Sequence, residues 1–185
     1  MSGDRKFAPT NTTSLKIIGN GNTALGALTM QWLSTGNLNT AIGLYSQQKA
    51  TTGSLNTSVG AMSLRVVTTG NNNVAVGSYS LRSNSTGALN TSVGSLSLAT
   101  NTTGANNTAI GHSTLRANTT ASNNTAIGQG SMNANTTGAS NTAVGQGALI
   151  ANTTASFNTA FGAATLAANT TGTNNTALGL SLIHI

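Results

Sequence analysis

The sequence predicts an all-β fold, a parallel β-solenoid, on three observations. Asn recurs every seventeen residues, at 22, 39, 56, 73, 90, 107, 124, 141, 158 and 175, with Gly four residues after each, from Gly26 to Gly179. No copy carries an insertion, so each is one structural unit stacked on the last. Small and large side chains alternate over short stretches, the period of a strand rather than a helix, and Gly or Asn every few residues breaks helices in any case. Charged residues make up 4 % and aromatics 3 % of the chain, too few for an ordinary enzyme core. Low-complexity disorder needs no apolar residue at a fixed phase, and here the phase is kept throughout.

The elements follow in order. Residues 1–21 are expected to be a lead-in or cap. MSGDRKFAPT has no apolar stretch behind its charges, so no signal peptide is read, and no run approaches the length that crosses a membrane. Residues 22–179 hold ten seventeen-residue copies, the last incomplete. Counting the Asn as position 0, position 3 is Leu25, Ile42, Val59, Val76, Val93, Ile110, Ile127, Val144, Phe161 and Leu178. Position 8 is Met30, Leu64, Leu81, Leu98, Leu115, Met132, Leu149 and Leu166, with Gln47 the exception. These are read as two apolar columns running the length of the core. Position 2 is only Ala or Ser and position 7 mostly Ser, Thr or Ala, which predicts two short strands per rung, around Thr-Ala-Ile and around Ser-Leu.

Turns are expected at the position-4 Gly and at Asn-Thr-Thr-Gly. Position 4 is Gly in every copy, as positive φ or the close passage of another chain demands. Position 14 is Gly in seven copies but Ala at Ala121 and Ala155, so smallness is the demand there. The Asn columns at position 0 and, from Asn84 onward, at position 11 are read as stacked amide ladders between rungs. Ten rungs at about 4.8 Å make a rod about 45 Å long. One large side chain in each column is little burial per rung. Leu28, Trp32, Leu33, Leu44, Tyr45, Met62, Val66, Val67 and Tyr79 are therefore expected either to meet partner chains or to cap the rod's end. Residues 180–185, LSLIHI, leave the repeat and resemble a frame translation of the end sequence of transposase-based sequencing libraries. They are expected to be adapter read-through, the alternative being a divergent last rung capped by Leu182 and Ile183.

The repeat NTAIGxxSLxxNTTGxx, from Asn22 to Gly179, resembles the NTAIG…NTTG arrays of phage tail-fibre-like proteins. It is also similar to the Asn-Ser-x-Ala-Ile-Gly head repeats of trimeric autotransporter (YadA-like) adhesins, although those are commonly shorter and come with a stalk and anchor. The resemblance implies a left-handed β-roll and a homotrimer. It further implies a non-enzymatic, structural or adhesive rod, the head or shaft of a phage tail fibre, with a bacterial adhesin head as the alternative. Its place would be the virion tail or the bacterial surface, and its receptor a host polysaccharide or protein.

The residues allow little other chemistry. Asp4 is the only acidic side chain, His112 and His184 are the only histidines, and there is no Cys. No catalytic constellation, cofactor site or metal site is expected, because Ser and Thr need a base to act as nucleophiles and calcium solenoids need repeated Asp. His112 is read as a surface substitution, with a metal site shared on a threefold axis as the alternative. Arg65, Arg82 and Arg116 share position 9 and Lys49 lies at position 10, so these cations line one edge of the rod. That edge suits a polyanion such as a surface polysaccharide. Equally, it would keep an uncharged rod soluble. Nucleic acid is not expected, since aromatic platforms among the cations are not evident. Thr columns at positions 1, 12 and 13 raise ice binding as a further class. Positions 12 and 13 are adjacent, however, and should point to opposite sides, which narrows the array.

Overall fold

A β-strand of three residues, repeated once per turn, is the only regular element of the computed structural model, which describes residues 5–7 and 19–180. The strands are β1 (Arg5–Phe7), β2 (Thr23–Leu25), β3 (Thr40–Ile42), β4 (Thr57–Val59), β5 (Val74–Val76), β6 (Thr91–Val93), β7 (Thr108–Ile110), β8 (Thr125–Ile127), β9 (Thr142–Val144), β10 (Thr159–Phe161) and β11 (Thr176–Leu178). They form one parallel sheet in chain order, from β1 at one edge to β11 at the other. Thr40 lies beside Thr57, Ala41 beside Ser58 and Ile42 beside Val59, so identical repeat positions are neighbours. The chain is thus a β-solenoid with one turn per repeat, as its period predicts. The lead-in contributes β1, which sets Arg5 beside Thr23. Of the terminal segment 180–185, residues 181–185 lie outside the described residues.

Only one strand forms per rung, not two. The Ser-Leu segment is a pair of overlapping β-turns whose third residues, at positions 6 and 8, take positive φ. Tyr45, Tyr79 and Leu96 stand at 58° to 60°, and the whole position-8 column at 47° to 51°. Positive φ at the third residue is the mark of a type II turn. Ser46 N–H closes the first such turn on Gly43 O at 3.2 Å, and Gln48 N–H the second on Tyr45 O at 3.3 Å. Seventeen residues must complete a circuit and return one strand spacing higher, so the chain bends where the period-two pattern alone reads an extended strand. The turns are nonetheless tied to their neighbours, with Leu64 N–H donating to Ser80 O at 3.0 Å in the next rung.

Magnitudes explain which residues tolerate that backbone. A left-handed conformation costs a non-Gly residue roughly 1–2 kcal/mol, whereas burying a Leu or Met stabilises by about 1.5–3 kcal/mol. Position 8 is fully buried in nearly every rung, so burial wins and the column is Leu or Met apart from Gln47. Position 6 is only partly buried, and there Gly130 and Gly147 take over, at φ 67° and 64°. Position 4 takes the positive φ expected of it, and the backbone that passes closely there is the next rung of the same chain. Its glycines stand at φ 121° to 142°, and a Cβ on Gly60 would lie 2.7 Å from the carbonyl of Gly77 in the next rung. Position 14 has no positive φ. Smallness is required because a Cβ on Gly53 would lie 2.6 Å from Gly70 O.

The strand face is the reverse of the one expected. Within Thr-Ala-Ile the small middle residue points inward and is buried in every rung, while positions 1 and 3 point outward. Position 3 is therefore not a core column: Ile110 is 39 % exposed and Phe161 53 %. The interior holds the position-8 side chains, the position-2 Ala and Ser, and buried Leu33, Ala50 and Val67 at position 11 of the first three copies. Its cross-section at the strand has room only for Ala or Ser against the opposing Leu. Of the other early apolar residues, Trp32 and Leu44 are exposed, and Leu28, Tyr45, Met62, Val66 and Tyr79 are half-buried.

Buried amides close each rung. Asn56 Nδ2 donates to Gly70 O at 2.8 Å, fastening position 0 to position 14 of the same rung, while Asn56 Oδ1 accepts the backbone N–H of Asn73 at 3.0 Å. The ladder thus runs through backbone as well as side chains. From Asn84 onward the position-11 amides form a second ladder, with Asn101 Nδ2 on Asn84 Oδ1 at 2.7 Å and on Gly104 O at 2.9 Å. Gly87 O accepts from both Asn73 and Asn84, and that convergence leaves no room for bulk at position 14.

Two substitutions test this packing. Gln47 fills a Leu position; its Nε2 donates to Ser58 Oγ at 3.0 Å, but its buried Oε1 has no partner. Gln47→Leu should raise stability by about 1 kcal/mol in a denaturant melt, since an unmet buried acceptor costs roughly 1–3 kcal/mol and Ser58 Oγ keeps Ser46 as a partner. Ser113 holds φ 55° at position 6. Ser113→Gly should stabilise by about 0.5–1 kcal/mol in the same assay by relieving that strain.

Candidate functional site

Two surfaces carry recognisable chemistry. The first is the outer face of the sheet. Position 1, Thr in every copy but one, and position 3, always large and apolar, form two parallel columns two residues apart along each strand. Leu25, Val93, Ile110, Ile127, Phe161 and Leu178 are exposed, and the remaining members of that column are half-buried. An apolar side chain recurs at every strand spacing, so the column is an unbroken apolar stripe along the rod. Stripes of that extent mark contact surfaces on soluble proteins.

The second surface is the edge formed by the turns. Lys49, Arg82 and Arg116 are exposed there and Arg65 is half-buried, so all four predicted residues come together along one side. The expectation that aromatic groups are missing from this edge is overturned. The guanidinium of Arg65 lies 5.8 Å from the ring centre of Tyr45 in the preceding rung, and that of Arg82 lies 5.8 Å from Tyr79 in its own rung. Arg65 Nε also donates to Gln48 Oε1 at 2.9 Å, and Gln48 Nε2 to Gln31 Oε1 at 2.9 Å, which steadies the edge. The signal was present in the repeat: Tyr45 and Tyr79 both stand at position 6, three residues before the cation column at position 9. The turn brings those two positions together. No acidic side chain occurs anywhere in residues 19–180, so none of these cations has a carboxylate side chain of the rungs to pair with.

The abundant hydroxyls serve structure. Thr114 Oγ1 donates to Gly128 O at 2.8 Å and Ser97 Oγ to Ala109 O at 3.1 Å, each tying one rung to the next. At position 12 Thr102 Oγ1 donates to Thr119 O at 3.0 Å and is half-buried, whereas the position-13 Thr column is exposed from Thr35 to Thr171. The two Thr columns therefore face differently, as their adjacency predicts. His112 is exposed at position 5, and among the described residues no three metal-ligating side chains come together. Also among the described residues, no helix is long and apolar enough to cross a membrane.

The fold defines the class to which this chain belongs, a parallel β-solenoid with seventeen-residue rungs. Comparison with protein families, curated proteins and solved structures finds no match.

Proposed function

We propose that this chain is a structural and adhesive rod, the head or shaft of a trimeric fibre of the phage tail-fibre kind, working at the host cell surface. The observation that carries the reading is the outward apolar column at position 3. A copy of the same chain carries the same column at the same rise, so two copies laid side by side meet at every rung along the rod. Burial at that column adds the apolar contact that a rung with one large interior side chain lacks. Three chains about an axis are what the resemblance implies, and a closed ring of identical contacts leaves no column unpaired. The task of such a rod is mechanical: it holds a recognition surface away from its attachment point. A bacterial trimeric adhesin head would use the same assembly, and the native DNA on both sides of the reading frame distinguishes the two.

A second reading draws on the same face. The sheet presents Thr at position 1 beside β-branched or other apolar residues at position 3, in register across ten strands. That regular, flat array suits ice binding by a free-standing rod. The two readings exclude each other, since assembled copies cover the array.

Sedimentation equilibrium should give three times the chain mass of 18.3 kDa, and Ile110→Asp with Ile127→Asp should shift the mass to that of the single chain while the circular dichroism stays that of a β-fold. A wild-type monomer that produces thermal hysteresis would replace the fibre reading with ice binding.

A further inference from the structure

We infer that the turn edge of the first six rungs is a binding site for a linear acidic polysaccharide. The inference deepens the attachment reading, and rests on it for its biological setting.

The placement of charge is the first argument. Lys49, Arg65, Arg82 and Arg116 are all the cations of residues 19–180, and all four stand at position 9 or 10 of a seventeen-residue circuit. Cations that serve solubility alone do so from any exposed position, including the position-13 Thr column and the exposed position-16 residues. Here they are confined to one edge and to the rungs that begin at Asn39, Asn56, Asn73 and Asn107. No lysine or arginine follows Arg116. With no acidic side chain in these rungs, the edge is uncompensated and draws anions.

Spacing is the second argument. Tyr45 and Tyr79 occupy the same repeat position two rungs apart, which is about 9–10 Å at 4.7–4.9 Å per strand spacing. That is close to the length of a disaccharide along an extended chain. Arg65 belongs to the rung between the two tyrosines, so the edge offers ring, cation, ring, with Arg82 beside the second ring. Aromatic faces take the apolar CH faces of pyranose rings, and a planar guanidinium takes a carboxylate or sulfate in a two-pronged contact. The arginines are held rather than free, Arg65 by Gln48 and both by the tyrosine rings, which lowers the entropy lost when an anion is clamped. Trp32, exposed at position 10, stands one rung before Lys49 at the same repeat position and adds an aromatic side chain beside the cations. A nucleic-acid duplex carries one charge per about 1.7 Å, far denser than one cation per rung. The edge also has no separate aromatic for each base.

Hyaluronate, one carboxylate per disaccharide, is the probe, with neutral dextran and oligo(dT) as comparisons, measured by calorimetry at low and at physiological salt on the full chain. Hyaluronate should bind in a salt-sensitive manner and dextran should not. Arg65→Ala with Arg82→Ala should weaken hyaluronate by at least tenfold, Arg82→Lys less, and Tyr79→Ala should weaken it at unchanged charge. Arg116→Ala and Arg82→Ala each remove an exposed side chain, so single variants keep the test valid if the double variant unfolds by circular dichroism. Absence of hyaluronate binding, equal binding by the arginine variants, or tighter binding of oligo(dT) would overturn the site. Sedimentation of the same samples separates the two proposals: a trimer that ignores hyaluronate refutes this site alone, and a monomer that binds it refutes the trimeric rod alone.

Discussion

The structure depends on one buried amide per turn. From Asn22 to Asn158, each position-0 Asn side chain donates to the position-14 carbonyl of its own rung and accepts the backbone N–H of the next Asn, as Asn107 does with Ala121 O at 2.9 Å and with Asn124 N–H at 3.1 Å. The first bond closes a seventeen-residue circuit and the second fixes the height and register of the circuit above. No other side chain of the repeat does both. The column's interior neighbours, an Ala or Ser and one Leu or Met, pack only when the circuit is closed. The buried amide also satisfies backbone groups that would otherwise be orphaned at a turn, where the deficit costs roughly 1–3 kcal/mol each.

A circuit this small has geometric consequences. From the fourth rung onward its interior holds a single large apolar side chain per rung, and in every rung the position-3 residue is turned outward, so the sheet's outer face becomes an apolar stripe instead of a solvated one. The corners require left-handed backbone at positions 6, 8 and 16 in rung after rung. Position 16 eases that strain with Asn at 72, 106, 123 and 174, a residue that enters this conformation readily. The same corners fold positions 6 and 9 together and thereby create the Tyr–Arg edge. The apolar stripe proposed for self-association and the cationic edge proposed for anion recognition thus lie on different parts of the circuit, one on the strand and one on the turns.

Much of this was legible in the sequence because a repeat without insertions reports its demands column by column. Gly at position 4 stood for positive φ and close backbone passage, small residues at position 14 for close passage alone, and Asn at positions 0 and 11 for stacked amides. The direction of the strand was not legible by the usual rule that the larger apolar residue points inward. The better signal was variance of size: position 2 admits only Ala or Ser, as a cramped interior demands, while position 3 admits Val, Ile, Leu and Phe, as an open face permits. The second strand was misread because alternation of small and large side chains does not reveal φ, and Leu or Met in left-handed conformation is rare enough to be discounted. The Tyr–Arg edge was hidden for the same reason, since its two columns meet only through that turn.

The claim that position-0 amides set the register is tested most directly by amide hydrogen exchange in an Asn124→Ala variant. Asn141 N–H donates to Asn124 Oδ1 at 2.9 Å, while Asn56 lies four rungs away with its own acceptor, Asn39 Oδ1, intact. In a solenoid whose rungs interact with nearest neighbours, protection of the Asn141 amide should fall by at least tenfold more than that of Asn56. Protection that stays equal at the two sites would contradict the account and place the register in the strands and core side chains alone.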